Sequence, residues 1–249
     1  MTLLGGDCCY FSNIVPNLLF LLFQSLTIFT EKENIAHFAN VDTTTFQGLK
    51  RAERLGLIES GLIQVLATPH LPEASNLFQN KAKTGRVFAI FRDPVSRAVS
   101  DYHFLRSLDL DDPLALPEVM SLSQFVESEH LRTNVLTKTL ANIVDNTFVT
   151  EVHVMFAKQV LQEKILVGLA ENFDESLNRF LAYFGWVLHD SVCAANFKAA
   201  RDTRESHPHL NDEQEEYHTL RDRNWADVEV YEFAKLVFAG QKQIKIRSD

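Results

Sequence analysis

The sequence predicts an α/β fold built around a parallel sheet. Short apolar runs of strand length alternate with stretches of helical periodicity. The run Arg86–Phe91 turns at once into a helix opened by Asp93-Pro94, and a second buried run at Lys164–Ala170 leads into the amphipathic stretch Phe173–Phe184. With 249 residues, 46% of them hydrophobic and 23% charged, the chain can bury a substantial core, which excludes disorder as its main state. Nine Gly, seven Pro and the lack of an internal period exclude a collagenous chain, a solenoid or a propeller.

From the N-terminus, residues 1–33 read as an apolar segment and residues 34–249 as one domain without a dividing linker. Two roles suit the nearly apolar Ile14–Phe29: a buried core element, or membrane association through residues 14–29. A spanning helix needs about twenty apolar residues and usually a basic flank. Pro16, Asn17, Gln24, Ser25 and Thr27 interrupt the run and Lys32 is the first basic residue, so the core reading is preferred. Ile35–Val41 reads as a strand, Thr44–Leu55 as a helix with Phe46, Leu49, Ala52 and Leu55 on one side, and Leu62–Ala67 as a strand, the rhythm of a parallel sheet. Arg86–Phe91 is a strand followed by an N-cap, Asp93, a first-turn proline, Pro94, and a helix to about Leu108. Ser121–Glu129, Thr133–Val144 and Thr150–Gln162 have helical patterns, Lys164–Ala170 that of a buried strand. The helix Phe173–Phe184 ends at Gly185, a residue suited to a left-handed C-cap. Asp190–Leu210 is a polar surface loop, and Asn211 to about Gly240 is helical with an interruption near Asn224.

Charge limits the partners. The net charge of −9 disfavours a broad grip on nucleic acid or anionic lipid, so no nucleic-acid partner is expected, while one local basic pocket for a single anion stays open. Adjacent Cys8 and Cys9 with a distant Cys193 form neither a disulfide framework nor a zinc pattern.

The stretch Phe91–Tyr102 carries the clearest chemistry. A strand ending in Arg92 before a capped helix puts a guanidinium at the carboxyl edge of a parallel sheet, where ligands of open α/β sheets bind, beside a helix start whose N–H groups favour anions. Ser96 and Ser100 lie one turn apart, so a hydroxyl and the Arg92 fork can converge on one phosphate, whereas Arg97 points away from that pair. By residue type alone, the same letters also suit a surface arginine, an ordinary Asp-Pro helix start and solvent-facing serines.

Arg92-Asp-Pro94 followed by Arg97, Ser100 and Tyr102 resembles the 3′-phosphate-binding motif R-x-P-x-x-R-x-x-S-x-Y of sulfotransferases that use 3′-phosphoadenosine 5′-phosphosulfate (PAPS). Further on, Val167-Gly-Leu-Ala-Glu171, Phe173–Leu177 and Phe180…Phe184-Gly-Trp186 are similar to a late strand and helix of the Golgi carbohydrate type, as is Asn224-Trp-Ala-Asp227…Tyr231…Phe238…Gln241. The likeness spans roughly Val41 to Gln243. It implies a P-loop-like three-layer sulfotransferase fold, PAPS as co-substrate without a metal, and transfer of the sulfuryl group to a hydroxyl of a carbohydrate or glycan acceptor. It also implies Golgi residence, with Arg92 and Ser100 holding the 3′-phosphate.

The front of the chain departs from that pattern. The family's loop P-K-x-G-[ST]-[ST], between a strand and a helix, embraces the 5′-phosphosulfate with its lysine and backbone amides. No such loop occurs here: Gly5-Gly6 precedes Asp-Cys-Cys, and Lys83-Thr84-Gly85 precedes a strand and reads as a turn. The N-terminal part of the fold is therefore expected to be truncated or degenerate. A catalytically inactive nucleotide-binding or interaction protein is the alternative reading, and a membrane-anchored interaction protein a third. No G-x-x-x-x-G-K-[ST] occurs, which disfavours a nucleotide triphosphatase.

No catalytic residue stands out. His37, Asp42 and His70 lie near strand ends, where loop and cap roles are commoner than a general base. His207-Pro-His209 lacks a third ligand for a metal, and Arg201 and Arg204 are a surface pair suited to an anionic sugar on charge alone. Trp186 and the nineteen Phe are expected in the core, Cys193 as a free thiol, and Glu213–Arg223 as a solvated helix face. The lack of an N-x-[ST] acceptor argues mildly against heavy lumenal glycosylation.

Overall fold

The structure, a computed structural model, describes residues 2–4, 28–30, 37–39, 41–78, 85–109, 112, 114–117, 119–143, 147–186 and 210–241. Two compact units divide the chain, one of Met1–Gly85 with Leu188–Asn196 and one of Arg86–Val187 with Phe197–Asp249. Several sequence expectations lie outside the described residues: the run 14–27, Lys83-Thr84, Arg201, Arg204, His207, His209 and all three cysteines. No helix among the described residues is long and apolar enough to cross a membrane.

The first unit holds the strands β1 (Thr2–Leu4), β2 (Ile28–Thr30), β3 (His37–Ala39) and β4 (Ile63–Leu66) in the order β2-β3-β1-β4. Every pairing is antiparallel, with Leu3 opposite both Phe38 and Val65 and Phe29 opposite Phe38. Since β1 runs against both β3 and β4, those two strands point the same way with β1 between them. The strand–helix–strand expectation therefore has the directions right and the adjacency wrong. A three-residue strand from a distant part of the chain has intervened, and no local periodicity reveals it.

The connecting helix α1 (Phe46–Arg54) starts where the Thr45 hydroxyl accepts the Gly48 amide at 3.1 Å. Its Leu49 and Ala52 are buried against Val41, Leu57, Ile58 and residues Ala74 and Leu77 around helix α2 (Leu71–Asn76). Phe46, expected on the same side, is instead 41% exposed, with the Lys50 ammonium 4.3 Å from its ring centre.

In the second unit β5 (Val87–Phe91) and β6 (Ile165–Leu169) form a parallel pair, Val87 opposite Ile165 and Phe91 opposite Leu169. Its helices are α3 (Pro94–Arg106), α4 (Leu122–Glu127), α5 (Val135–Ala141), α6 (Glu151–Lys164), α7 (Phe173–Phe184), α8 (Glu215–Arg223) and α9 (Trp225–Gly240). The architecture is thus mixed helix and strand with a small parallel sheet, compatible with the α/β class. The apolar side of α3, Val95, Ala98, Val99 and Tyr102, forms one core with Phe125, Val126, Leu131 and Leu220.

Two details of β6 explain its sequence. Gly168 lies so close to α7 that a Cβ there would stand 2.7 Å from the Phe180 ring, which leaves room for glycine alone. The strand's outer edge is closed by side chains. Gln241 accepts the Val167 amide and donates to the Ile165 carbonyl, both at 2.9 Å, and the Ser176 hydroxyl bonds the Leu169 amide and carbonyl. Helix α7 ends as its sequence predicts, with Gly185 at φ 67°, and Trp186 then stacks on Phe184 at 4.4 Å.

The interruption near Asn224 is a reciprocal cap. The buried Asp227 of α9 accepts the Leu136 and Thr137 amides and the Thr137 hydroxyl at the start of α5, while the Asn134 side-chain oxygen accepts the Ala226 and Asp227 amides at the start of α9. Not every aromatic is core: Phe104, Phe148 and Phe156 are exposed.

Candidate functional site

The site predicted around Arg92 lies in the second unit. Arg92 follows the last residue of β5, partly buried, and Asp93 then caps α3, its carboxylate accepting the Ser96 amide at 2.8 Å. Ser100 is partly buried, two helical turns into α3. Ser100 lies seven residues beyond the cap Asp93, a helical rise of about 10 Å, and Arg92 precedes that cap.

The residues of α3 sort into strips. Val95, Ala98, Val99 and Tyr102 are buried, Ser96 and Ser100 share a strip at the border of the core, and Arg97 with Asp101 forms the next strip round. Arg97 is spoken for. Its guanidinium donates to Asp101 at 2.8 Å, to the Arg132 carbonyl at 3.1 Å and to the Asn224 side chain at 3.2 Å, so it ties the motif helix to the α5–α9 cap. Tyr102 donates its hydroxyl to the Met120 carbonyl at 2.9 Å and packs on Phe125. These two motif residues serve the fold, Arg97 being directed to Asp101, Arg132 and Asn224.

Two of the amides around the start of α3 are taken by the protein's own carboxylates. Asp93 takes the Ser96 amide, Glu171 takes the Asp93 amide at 2.9 Å, and Pro94 has none to give.

Glu171 is the residue that sequence reasoning left without a role. It follows β6 by two positions, and while one carboxylate oxygen accepts from Asp93, the other accepts the Tyr231 hydroxyl at 2.6 Å. Burial pushes the Tyr231 phenol far above its usual range, and the bonded Glu171 carboxylate pushes it the same way, so the phenol remains a donor at any ordinary pH. Ala170 completes the junction by donating its amide to the Phe91 carbonyl at 2.8 Å. The sequence did hold a signal, an acid just past a buried strand, but its partners lie 78 and 60 positions away.

Compared with protein-family models, curated proteins and solved structures, the chain has no match. The functional reading thus stands on the residues themselves and on the motif resemblance.

Of the other candidates, Asp42 and His70 have turn and cap roles in the first unit. The Asp42 carboxylate accepts the Thr44 amide at 3.0 Å and its hydroxyl at 2.6 Å, and the His70 ring nitrogen lies 3.1 Å from the Thr44 carbonyl. His37 belongs to β3, where only the backbone is described. No group of three His, Cys, Asp or Glu side chains among the described residues could hold a metal ion.

Proposed function

We propose that the second unit binds the 3′-phosphate of PAPS, or of its desulfated product, through Arg92 and Ser100, and that the protein transfers the sulfuryl group to a hydroxyl of a carbohydrate acceptor. In that reaction the sulfur–oxygen bond to the 5′-phosphate breaks as the acceptor oxygen attacks in line, and the acceptor's proton passes to a base. The observation that carries the reading is the strand–turn–helix unit itself, with Arg92 at the end of a parallel strand, Ser96 and Ser100 on one strip of α3, and Arg97 and Tyr102 engaged elsewhere. A phosphate held by a guanidinium and a hydroxyl gains charge-assisted hydrogen bonds of the stronger kind. Residence in the Golgi belongs to the same proposal and rests on the resemblance alone.

Titration with adenosine 3′,5′-bisphosphate tests it. Arg92→Ala is expected to weaken binding at least about tenfold, or about 1.4 kcal/mol, and an unchanged titration curve would overturn the reading. The missing K-x-G-[ST]-[ST] loop favours a second version, in which the protein binds the nucleotide without transferring from it. Incubation with labelled PAPS and a panel of polysaccharides separates the two, since robust labelling of any acceptor excludes the inactive form.

A further inference from the structure

Arg92 lies between the strand before it and the helix after it, and two hydrogen bonds from the end of β6 hold the peptide groups on either side of it. The carbonyl before Arg92, that of Phe91, accepts the Ala170 amide at 2.8 Å, and the amide after it, that of Asp93, donates to the Glu171 carboxylate at 2.9 Å. Two consecutive residues thus grip the two peptide groups that flank Arg92. The first of these bonds continues the pairing of β5 with β6. The second comes from a side chain that is itself exposed and that has, in the 2.6 Å bond from the buried Tyr231, a second anchor on α9.

We infer that Glu171 is the positioning residue for Arg92: by holding the Asp93 amide, with Tyr231 holding Glu171 in turn, it aims the guanidinium at the 3′-phosphate. This deepens the nucleotide-binding proposal and rests on it. A guanidinium binds phosphate through a planar fork, and a fork swung off line by about an ångström loses much of its bonding. An exposed carboxylate on one hydrogen bond samples many rotamers; a second, short bond to a buried phenol removes that freedom. The phenol keeps its proton because burial and the neighbouring carboxylate both oppose ionisation, so the anchor persists through the working pH range.

The test compares two ligands that differ in the group Arg92 is proposed to hold: adenosine 3′,5′-bisphosphate and adenosine 5′-monophosphate. Glu171→Ala should weaken the bisphosphate about tenfold and leave the monophosphate within about twofold. The double variant Arg92→Ala/Glu171→Ala should bind the bisphosphate no worse than Arg92→Ala alone, since a positioning residue has nothing left to position. Glu171→Gln should restore most of the preference, because its carbonyl can still accept the Asp93 amide while its NH2 donates to the Tyr231 oxygen. Should Glu171→Ala fail to fold, Tyr231→Phe carries the same comparison, with a smaller loss confined again to the bisphosphate. Equal weakening of both ligands, additive losses in the double variant, or a preference untouched by Glu171→Ala would overturn the inference and leave the 3′-phosphate proposal standing. A wild-type protein that does not prefer the bisphosphate overturns both.

Discussion

The reciprocal cap between α5 and α9 can be tested by replacing Asp227. Its side chain is 1% exposed and accepts three hydrogen bonds, from the Leu136 amide at 3.0 Å, the Thr137 amide at 2.8 Å and the Thr137 hydroxyl at 2.9 Å. Asp227→Ala removes all three acceptors and strands donors in the interior. A lost cap costs about 1 kcal/mol and each buried, unsatisfied donor about 1–3 kcal/mol; partial relaxation onto water brings the expected total to about 4 kcal/mol. Asp227→Asn separates the contributions. Both Thr137 bonds go to one oxygen, which an amide can retain, whereas the Leu136 amide would face an NH2 group and lose its acceptor, for an expected cost of about 2 kcal/mol. Both tryptophans, Trp186 and Trp225, lie in the second unit, and Trp225 opens the capped helix, so their fluorescence in a urea titration follows the unit that carries the cap. An alanine variant within about 1 kcal/mol of wild type, or one equal to the asparagine variant, would refute the capping account.

Two further outcomes follow from the packing and the titration of the second unit. Gly168→Ala should destabilise it by about 1–3 kcal/mol, because the new methyl meets the Phe180 ring at 2.7 Å and the Ser176 Cβ at 3.0 Å; calorimetry that shows no loss would contradict the close approach of α7 to β6. Tyr231, whose phenol is raised in the folded protein, contributes stability that is whole below the unfolded phenol value of about 10 and is lost as pH climbs from there toward the folded value, since the unfolded chain releases a proton the folded one keeps. The stability difference between wild type and Tyr231→Phe should therefore shrink above about pH 10 by up to about 1.4 kcal/mol per pH unit; a difference constant from about pH 8 to about pH 11 would refute the assignment.

Local chemistry made much of the second unit legible. Asp93 and Pro94 mark the start of α3 because a capping carboxylate and a proline without an N–H both suit a helix's first turn, and Gly185 ends α7 because its φ of 67° is open to glycine. The apolar run that became β6 needed only its length and its following helix to be read. What stayed hidden depends on residues far apart in the chain. The strand Thr2–Leu4 pairs with residues some 35 to 64 positions away, and nothing in three residues announces that it will separate β3 from β4. The bond from Glu171 to the Asp93 amide beside Arg92 was hidden for the same reason, since the two residues are 78 positions apart. Phe46, Phe148 and Phe156 show the limit of composition, which supplies apolar residues without saying which of them a neighbour will cover.

The motif through α3 has two sets of residues with different duties, and this changes what a match to it means. Pro94, Arg97 and Tyr102 hold the helix: proline starts it, Arg97 joins it to Asn224 and the Arg132 carbonyl, and Tyr102 fastens it to Met120 while filling the core beside Phe125. Arg92 and Ser100 sit differently, since one precedes the helix and the other lies at the margin of its buried face. A chain could keep the first set for its fold alone. In the reading proposed above, those two residues are the ones that meet the nucleotide, so they carry the functional weight of the resemblance. The carboxylates of Asp93 and Glu171 bear on the same region, because each takes one of the amides around the start of α3.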